Sequence, residues 1–263
     1  MTRRFLLFPR TIPVWLGIIS LATLAVVGCA KAATLTSDSP VIMALGSATD
    51  VDAFVDEIVP QMNNHTDPNG PLYTGEFAAG RPHDRDELLI VSYNLRYGEA
   101  IEDAIQAYRE ANPLPEADIV LLQEMDEAGV RVVARELGYN YAYFPASVAE
   151  DGDIFGNAIL ARWPISDPYK LILPGLHPLT GQQRTATRAT VTVGDTTILV
   201  YSTHIEVATA PPALREAQFA AILEDIPESA ARVIVGGDFN TVTGWGVGAL
   251  AEQFAAAGAR GLG

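Results

Sequence analysis

The sequence predicts an α/β protein built from two packed mixed β-sheets with helices on their outer faces. Three observations carry this expectation. Short apolar runs rich in Val, Ile and Leu alternate with windows of helical period between residues 88 and 240. Two runs, 188–193 and 197–201, flank Gly194-Asp195, which is the mark of a hairpin and not of a crossover. No GxGxxG follows any strand, so the pattern is not that of a dinucleotide-binding sheet.

The first strand is expected at 88–93 (LLIVSY), ending at Asn94. A helix at 99–110 is stopped by Asn112-Pro113, and a second buried strand at 118–122 (DIVLL) ends at Gln123-Glu124. Residues 127–137 read as an amphipathic helix closed by Gly138. Aromatic residues alternate over 139–144, and 155–161 (FGNAILA) is another short strand. Tyr141, Tyr143 and Phe144 could stack on a base, but an aromatic strand is more often core. After the hairpin come a helix at 213–223, the run Val233-Ile234-Val235 as a buried strand, and the start of a helix at 250–257. Upstream, 50–62 has helical periodicity, and 61–86, rich in Asn, Pro, Gly and Asp, reads as a long loop covering one edge of the main domain.

With 263 residues, 49% of them hydrophobic, the chain can bury a large core in one domain. Lys and Arg number 17 against 32 Asp and Glu, a net charge of -15. This balance disfavours a protein that coats nucleic acid nonspecifically. It leaves a phosphate ester substrate open, because a bound divalent cation brings positive charge that composition does not count.

Arg3, Arg4 and Arg10 precede an apolar stretch at 12–27 that closes with Val26-Val27-Gly28-Cys29. This resembles a bacterial lipoprotein signal, with Cys29, the only cysteine, as the lipidated residue. The expected organisation is a signal at 1–28, a tether, short helix and loop at 29–86, and the main domain at 87–263. The protein is then exported and anchored in the cell envelope, with periplasmic or secreted forms and an uncleaved membrane anchor as rivals. Cleavage leaves 14 Lys and Arg against 32 acids, a net charge of -18.

Chemistry-capable residues recur at the carboxyl ends of the predicted strands: Asn94, Glu124, His204, Asp238 and Asn240. In Gly236-Gly237-Asp238-Phe239-Asn240, an extended backbone places Asp238 and Asn240 on one face, which suits a metal-and-phosphate site; a simple turn is the equal alternative. Taken singly, Asn94 caps a turn, Glu124 opens a helix, His204 is a half-buried histidine and Arg188 snorkels to the surface.

As an ordered set, Ser92-Tyr93-Asn94-Leu95-Arg96, Leu121-Leu122-Gln123-Glu124, Phe155-Gly156-Asn157, Arg188-Ala189, Ser202-Thr203-His204 and Gly237-Asp238-Phe239-Asn240 resemble the endonuclease/exonuclease/phosphatase superfamily, with its DNase I-like fold. The resemblance implies a four-layer α/β/β/α sandwich and a monomeric, metal-dependent phosphoester hydrolase acting on nucleic acid, nucleotides or phospholipid head groups. Glu124 and Asn94 would hold Mg²⁺, with Mn²⁺ as a substitute. Asp238 would orient the attacking water and Asn240 would hold water or phosphate. Asn157 and Arg188 would support the phosphate, and His204 would contact it or act as an acid. The family's closing Ser-Asp-His motif has no counterpart before Gly263, and His65, His83 and His177 match no family motif. The expectation is therefore a fragment lacking the last strands. The alternative is a noncatalytic lipoprotein that binds a phosphate ligand. A serine hydrolase is disfavoured, because GxSxG is absent.

Overall fold

The apolar runs fold into two sheets, as the periodicity predicts. The structure is a computed structural model that describes residues 62–79, 88–96, 98, 101–149, 152, 154–241 and 252. Cys29 and its signal lie outside these residues, as do the predicted helices at 50–62 and 250–257 apart from Met62 and Glu252. Everything below belongs to one unit, Pro60–Thr241.

The first sheet contains β1 (Asn63–Asn64), β2 (Tyr73–Gly75), β3 (Ile90–Asn94), β4 (Ile119–Gln123), β5 (Asn140–Val148) and β6 (Ile154–Ala161). Its order is β1-β5-β6-β4-β3, with β2 also on β5; β3 and β4 run parallel. The second sheet, ordered β10-β9-β8-β7, contains β7 (Ile165–Leu176), β8 (Gln183–Val193), β9 (Thr196–His204) and β10 (Val233–Asp238), with β9 and β10 parallel. Helices α1 (Ile101–Glu110) and α2 (Glu127–Leu137) cover the first sheet, and α3 (Pro212–Asp225) covers the second.

Strand alternation explains the layering. In β4, Ile119 and Leu121 join Ile159, Ala189, Val191 and Val200 in the core between the sheets. Val120 and Leu122 point the other way, against Ala104, Val130 and Val133 of the helices. On the far side, Ala186, Tyr201 and Leu173 pack with Ile222 of α3. The four-layer α/β/β/α arrangement follows, since each sheet has two apolar faces to bury. Helix α2 starts and stops where expected: Asp126 accepts a hydrogen bond from Gly129 N at 2.7 Å, and Gly138 closes it at φ 71°. Tyr141, Tyr143 and Phe144 are core residues, 4%, 0% and 1% exposed, and present no stacking face.

Two expectations need correction. The segment 61–86 is not all loop: Asn63–Asn64 and Tyr73–Gly75 pair with β5 along the edge of the sheet. Lys170, fully buried, fastens this segment by donating to the carbonyls of His65 and Gly70 at 2.8 and 2.7 Å. The long strand β7 has no counterpart in the sequence reading, because Pro168 and Pro174 break the propensity pattern. Proline is tolerated there because β7 is the outer strand and carries two register shifts. Among the described residues no helix is long and apolar enough to cross a membrane.

Gly237, at φ 143°, lies where a Cβ would collide with the backbone of Thr203 on the neighbouring strand. Gly237→Ala should therefore lower stability by about 3–5 kcal/mol in urea unfolding, combining strain and overpacking. Gly152→Ala, at φ 94° with nothing within 4 Å, should cost only the conformational strain, about 1 kcal/mol.

Candidate active site

Parallel pairing puts the ends of β3 and β4 side by side, and those of β9 and β10 likewise: Asn94 pairs with Gln123, and His204 with Asp238. The sheets are joined at this end by Gln123 Nε2 donating to Ser202 Oγ at 3.2 Å. Four strand termini therefore deliver their polar residues to one place.

Glu124 follows β4 directly and adopts φ 55°, a left-handed conformation that costs a non-glycine residue about 1–2 kcal/mol. Strain of this kind concentrates at functional sites. Its carboxylate is 7% exposed. Asn94 Nδ2 lies between the two acids, donating to Glu124 Oε1 at 2.8 Å and to Asp238 Oδ2 at 3.1 Å. Asn94 Oδ1 accepts from Arg96 N at 3.0 Å, so this amide meets the carboxylates through its nitrogen. Glu124 Oε2 is buried with no hydrogen-bond partner. Burial raises the Glu124 pKa, opposed by the Asn94 hydrogen bond and the nearby Arg184.

His204 lies between the acids, with Nε2 3.8 Å from Asp238 Oδ2 and Nδ1 3.8 Å from Glu124 Oε1. Arg184 Nη1 is 3.3 Å from His204 Nδ1. A guanidinium can only donate, so Nδ1 accepts and Nε2 carries the proton. Burial, reinforced by Arg184, lowers the His204 pKa to about 3, so the ring is neutral near pH 7. Burial alone would raise the Asp238 pKa, but hydrogen bonds from the Asn240 N–H and Asn94, with the nearby Arg184 charge, pull it down, and the balance lies below its ordinary value. Asn240 supports this turn, with N donating to Asp238 Oδ1 at 2.8 Å and Nδ2 to Ile205 O at 2.9 Å.

The His204 shift fixes a pH dependence. The unfolded chain takes up this proton near its ordinary pKa of 6.5, whereas the folded protein resists until about 3. The corresponding stability is complete above 6.5 and is lost as pH falls through that window. In EDTA, acidification from pH 7 to pH 4 should cost the wild type on the order of 3 kcal/mol more than His204→Gln, measured by urea unfolding at each pH.

Asn157 is 3% exposed and completes one wall, with Nδ2 donating to Thr185 O at 2.8 Å and Oδ1 left unpartnered. Arg188 does not join the cluster. It donates to Asp225 Oδ2 at 2.8 Å and lies over the Tyr169 ring at 4.6 Å, on the side of the second sheet covered by α3. The guanidinium at the cleft is that of Arg184, 6% exposed, which the sequence reading does not single out. The hairpin register contained the signal: Val193 pairs with Thr196 and Ala186 with Thr203, so the start of β8, not its middle, lies beside His204.

The donors suit a hard cation. Glu124 offers a buried oxygen with no partner, and Asp238 brings a second carboxylate to the same Asn94 amide. Among the described residues no three His, Cys, Asp or Glu side chains are placed to hold an ion by themselves.

The family model described as "Endonuclease/Exonuclease/phosphatase family" matches residues 91–257. No curated protein matches. Among solved structures, an endonuclease/exonuclease/phosphatase family protein from Leptotrichia buccalis C-1013-b is 18% identical, covering 65% of this chain and 73% of its own, with a TM-score of 0.50. D. rerio TDP2 complexed with single strand DNA product is 21% identical over 68% of each chain, at TM-score 0.46. The human Nocturnin catalytic domain with bound sulfate anion is 19% identical over 69% of this chain and 68% of its own, at 0.45.

Proposed function

The chain belongs to the endonuclease/exonuclease/phosphatase family, and from that premise we propose that it is a Mg²⁺-dependent phosphodiesterase, with Mn²⁺ able to substitute. The observation that carries the reading is the buried Glu124 carboxylate, with Oε2 unpartnered, set among Asn94, His204, Asp238 and Arg184. Glu124 and Asn94 would hold the ion, Asn94 through Oδ1 after its amide turns. The bound ion would polarise a phosphoryl oxygen and stabilise developing charge.

The chain's own residues supply the rest. Arg184 binds a nonbridging phosphoryl oxygen, and neutral His204 hydrogen-bonds the phosphate or the leaving oxygen through Nε2–H, keeping its proton. Asp238, ionised and fixed by the Asn240 N–H, orients the attacking water. Asn157, whose Nδ2 is already bonded to Thr185 O, faces this water through its free Oδ1 more readily than it faces a phosphate oxygen.

The substrate class is a phosphodiester, from nucleic acid, nucleotide or phospholipid head group. On the residues before Cys29, the enzyme is exported and tethered to the cell envelope by a lipid at that cysteine. The mass of the mature N-terminal peptide tests the tether: a diacylated Cys29 supports it, and a chain still beginning at Met1 overturns it.

Turnover of bis(p-nitrophenyl) phosphate tests the chemistry. The expected result is hydrolysis with Mg²⁺, loss in EDTA and recovery on adding Mg²⁺ or Mn²⁺. Hydrolysis that persists in EDTA would overturn the proposal, and tight phosphate binding without turnover would favour the noncatalytic reading.

A further inference from the structure

The cation at the cleft is held by a carboxylate outside the reacting cluster. Glu206, two residues beyond His204, is 0% exposed. Its Oε1 accepts from Arg184 Nε at 3.2 Å, from Arg184 Nη2 at 3.0 Å and from Val207 N at 3.1 Å. Its backbone is anchored from α3: Glu206 N donates to Gln218 Oε1 at 2.8 Å, and Arg215 Nε donates to Glu206 O at 3.2 Å. Arg215 Nη2 also donates to the carbonyls of Phe239 and Asn240, so one helix fixes both Glu206 and the turn after Asp238.

The form of the pair bears on its purpose. The strongest arginine–carboxylate contact places two parallel N–H groups on two oxygens. Here both N–H groups fall on Oε1, and Glu206 Oε2 is buried without a partner. Pair strength is therefore not maximised. The arrangement leaves Nη1 toward His204 and the cleft. A long arginine side chain without such a hold has many rotamers, most of which point Nη1 elsewhere.

We propose that Glu206 is a positioning residue: it fixes the Arg184 guanidinium in the orientation that presents Nη1 to a phosphoryl oxygen beside His204. The proposal rests on the phosphodiesterase reading for its consequence, but the hold itself can be tested without turnover. Arg184→Ala leaves a space that free methylguanidinium can fill, and Glu206 is the group that would bind it. In metal-free protein, methylguanidinium should bind Arg184→Ala, followed by amide shifts of residues around His204, and should not bind Arg184→Ala/Glu206→Gln. With Mg²⁺, the same additive should restore kcat/KM for bis(p-nitrophenyl) phosphate at least about tenfold in the single variant and not in the double.

Equal binding and rescue in both variants, or no binding to Arg184→Ala, would overturn the proposal. If binding follows the prediction but the wild type does not hydrolyse the diester, the hold stands and the phosphodiesterase reading falls. If the wild type hydrolyses the diester and Arg184→Ala does so equally well, the proposal falls and the hydrolase reading stands. Should Arg184→Ala fail to fold, Glu206→Gln keeps the volume and the Oε1 acceptor. Its affinity for inorganic phosphate should fall about tenfold with thermal melting showing it folded, and unchanged affinity would overturn the proposal.

Discussion

Arg184→Ala should lower kcat/KM for a phosphodiester by about 10²–10³-fold, the range seen when one preorganised donor to developing charge is removed. Arg188→Ala should leave it within about twofold, because that side chain faces away from the cleft. The two arginines share a strand and are four residues apart, about 13 Å along the backbone. Arg184 is buried against Glu206 and within 3.3 Å of His204, whereas Arg188 pairs with Asp225 beside Tyr201. A swap of the two outcomes would place the phosphate mid-strand beside Asp225 and Tyr201, against the geometry. The comparison is sharp because both variants delete the same charge from a protein with a net charge of -15, so long-range field effects are nearly equal.

Glu124→Gln should reduce turnover by at least about 10³-fold while raising the stability of the metal-free protein by about 1 kcal/mol. The opposite signs have one cause. The Glu124 carboxylate is 7% exposed, one of its oxygens has no hydrogen-bond partner, and burial pushes its pKa up. An ionised group in that setting costs the fold energy unless a cation neutralises it. Glutamine keeps the oxygen that accepts from Asn94 and removes the charge. Turnover at fixed Mg²⁺ and urea unfolding in EDTA measure the two effects separately. A destabilised, fully active variant would identify Glu124 as an ordinary structural acid.

Much of the site could be read from the sequence, because strand ends announce themselves. The runs before Asn94, Gln123-Glu124, His204 and Asp238 are apolar and β-branched, so the polar residue that ends each one is conspicuous. Pairing then brings these ends together without further information. The sequence points to Arg188 and passes over Arg184, which lies on the same face of β8. Only the hairpin register, counted back from Gly194, shows that β8 reaches the cleft at its beginning. Glu206 could not be reached in this way. It lies outside any strand, and its role depends on Gln218 and Arg215 of α3, whose packing against the turn is tertiary. Strand β7 was hidden for another reason: outer strands tolerate proline, so the residues that mark loops elsewhere lie inside it.

The most direct test is a calorimetric titration of Mg²⁺ into metal-free wild type and Glu124→Gln. It requires no knowledge of the substrate. The account predicts binding to the wild type and an affinity at least about tenfold weaker in the variant. Equal affinity in the two proteins, or no binding to the wild type, would contradict the assignment of this cluster as a metal-dependent active site.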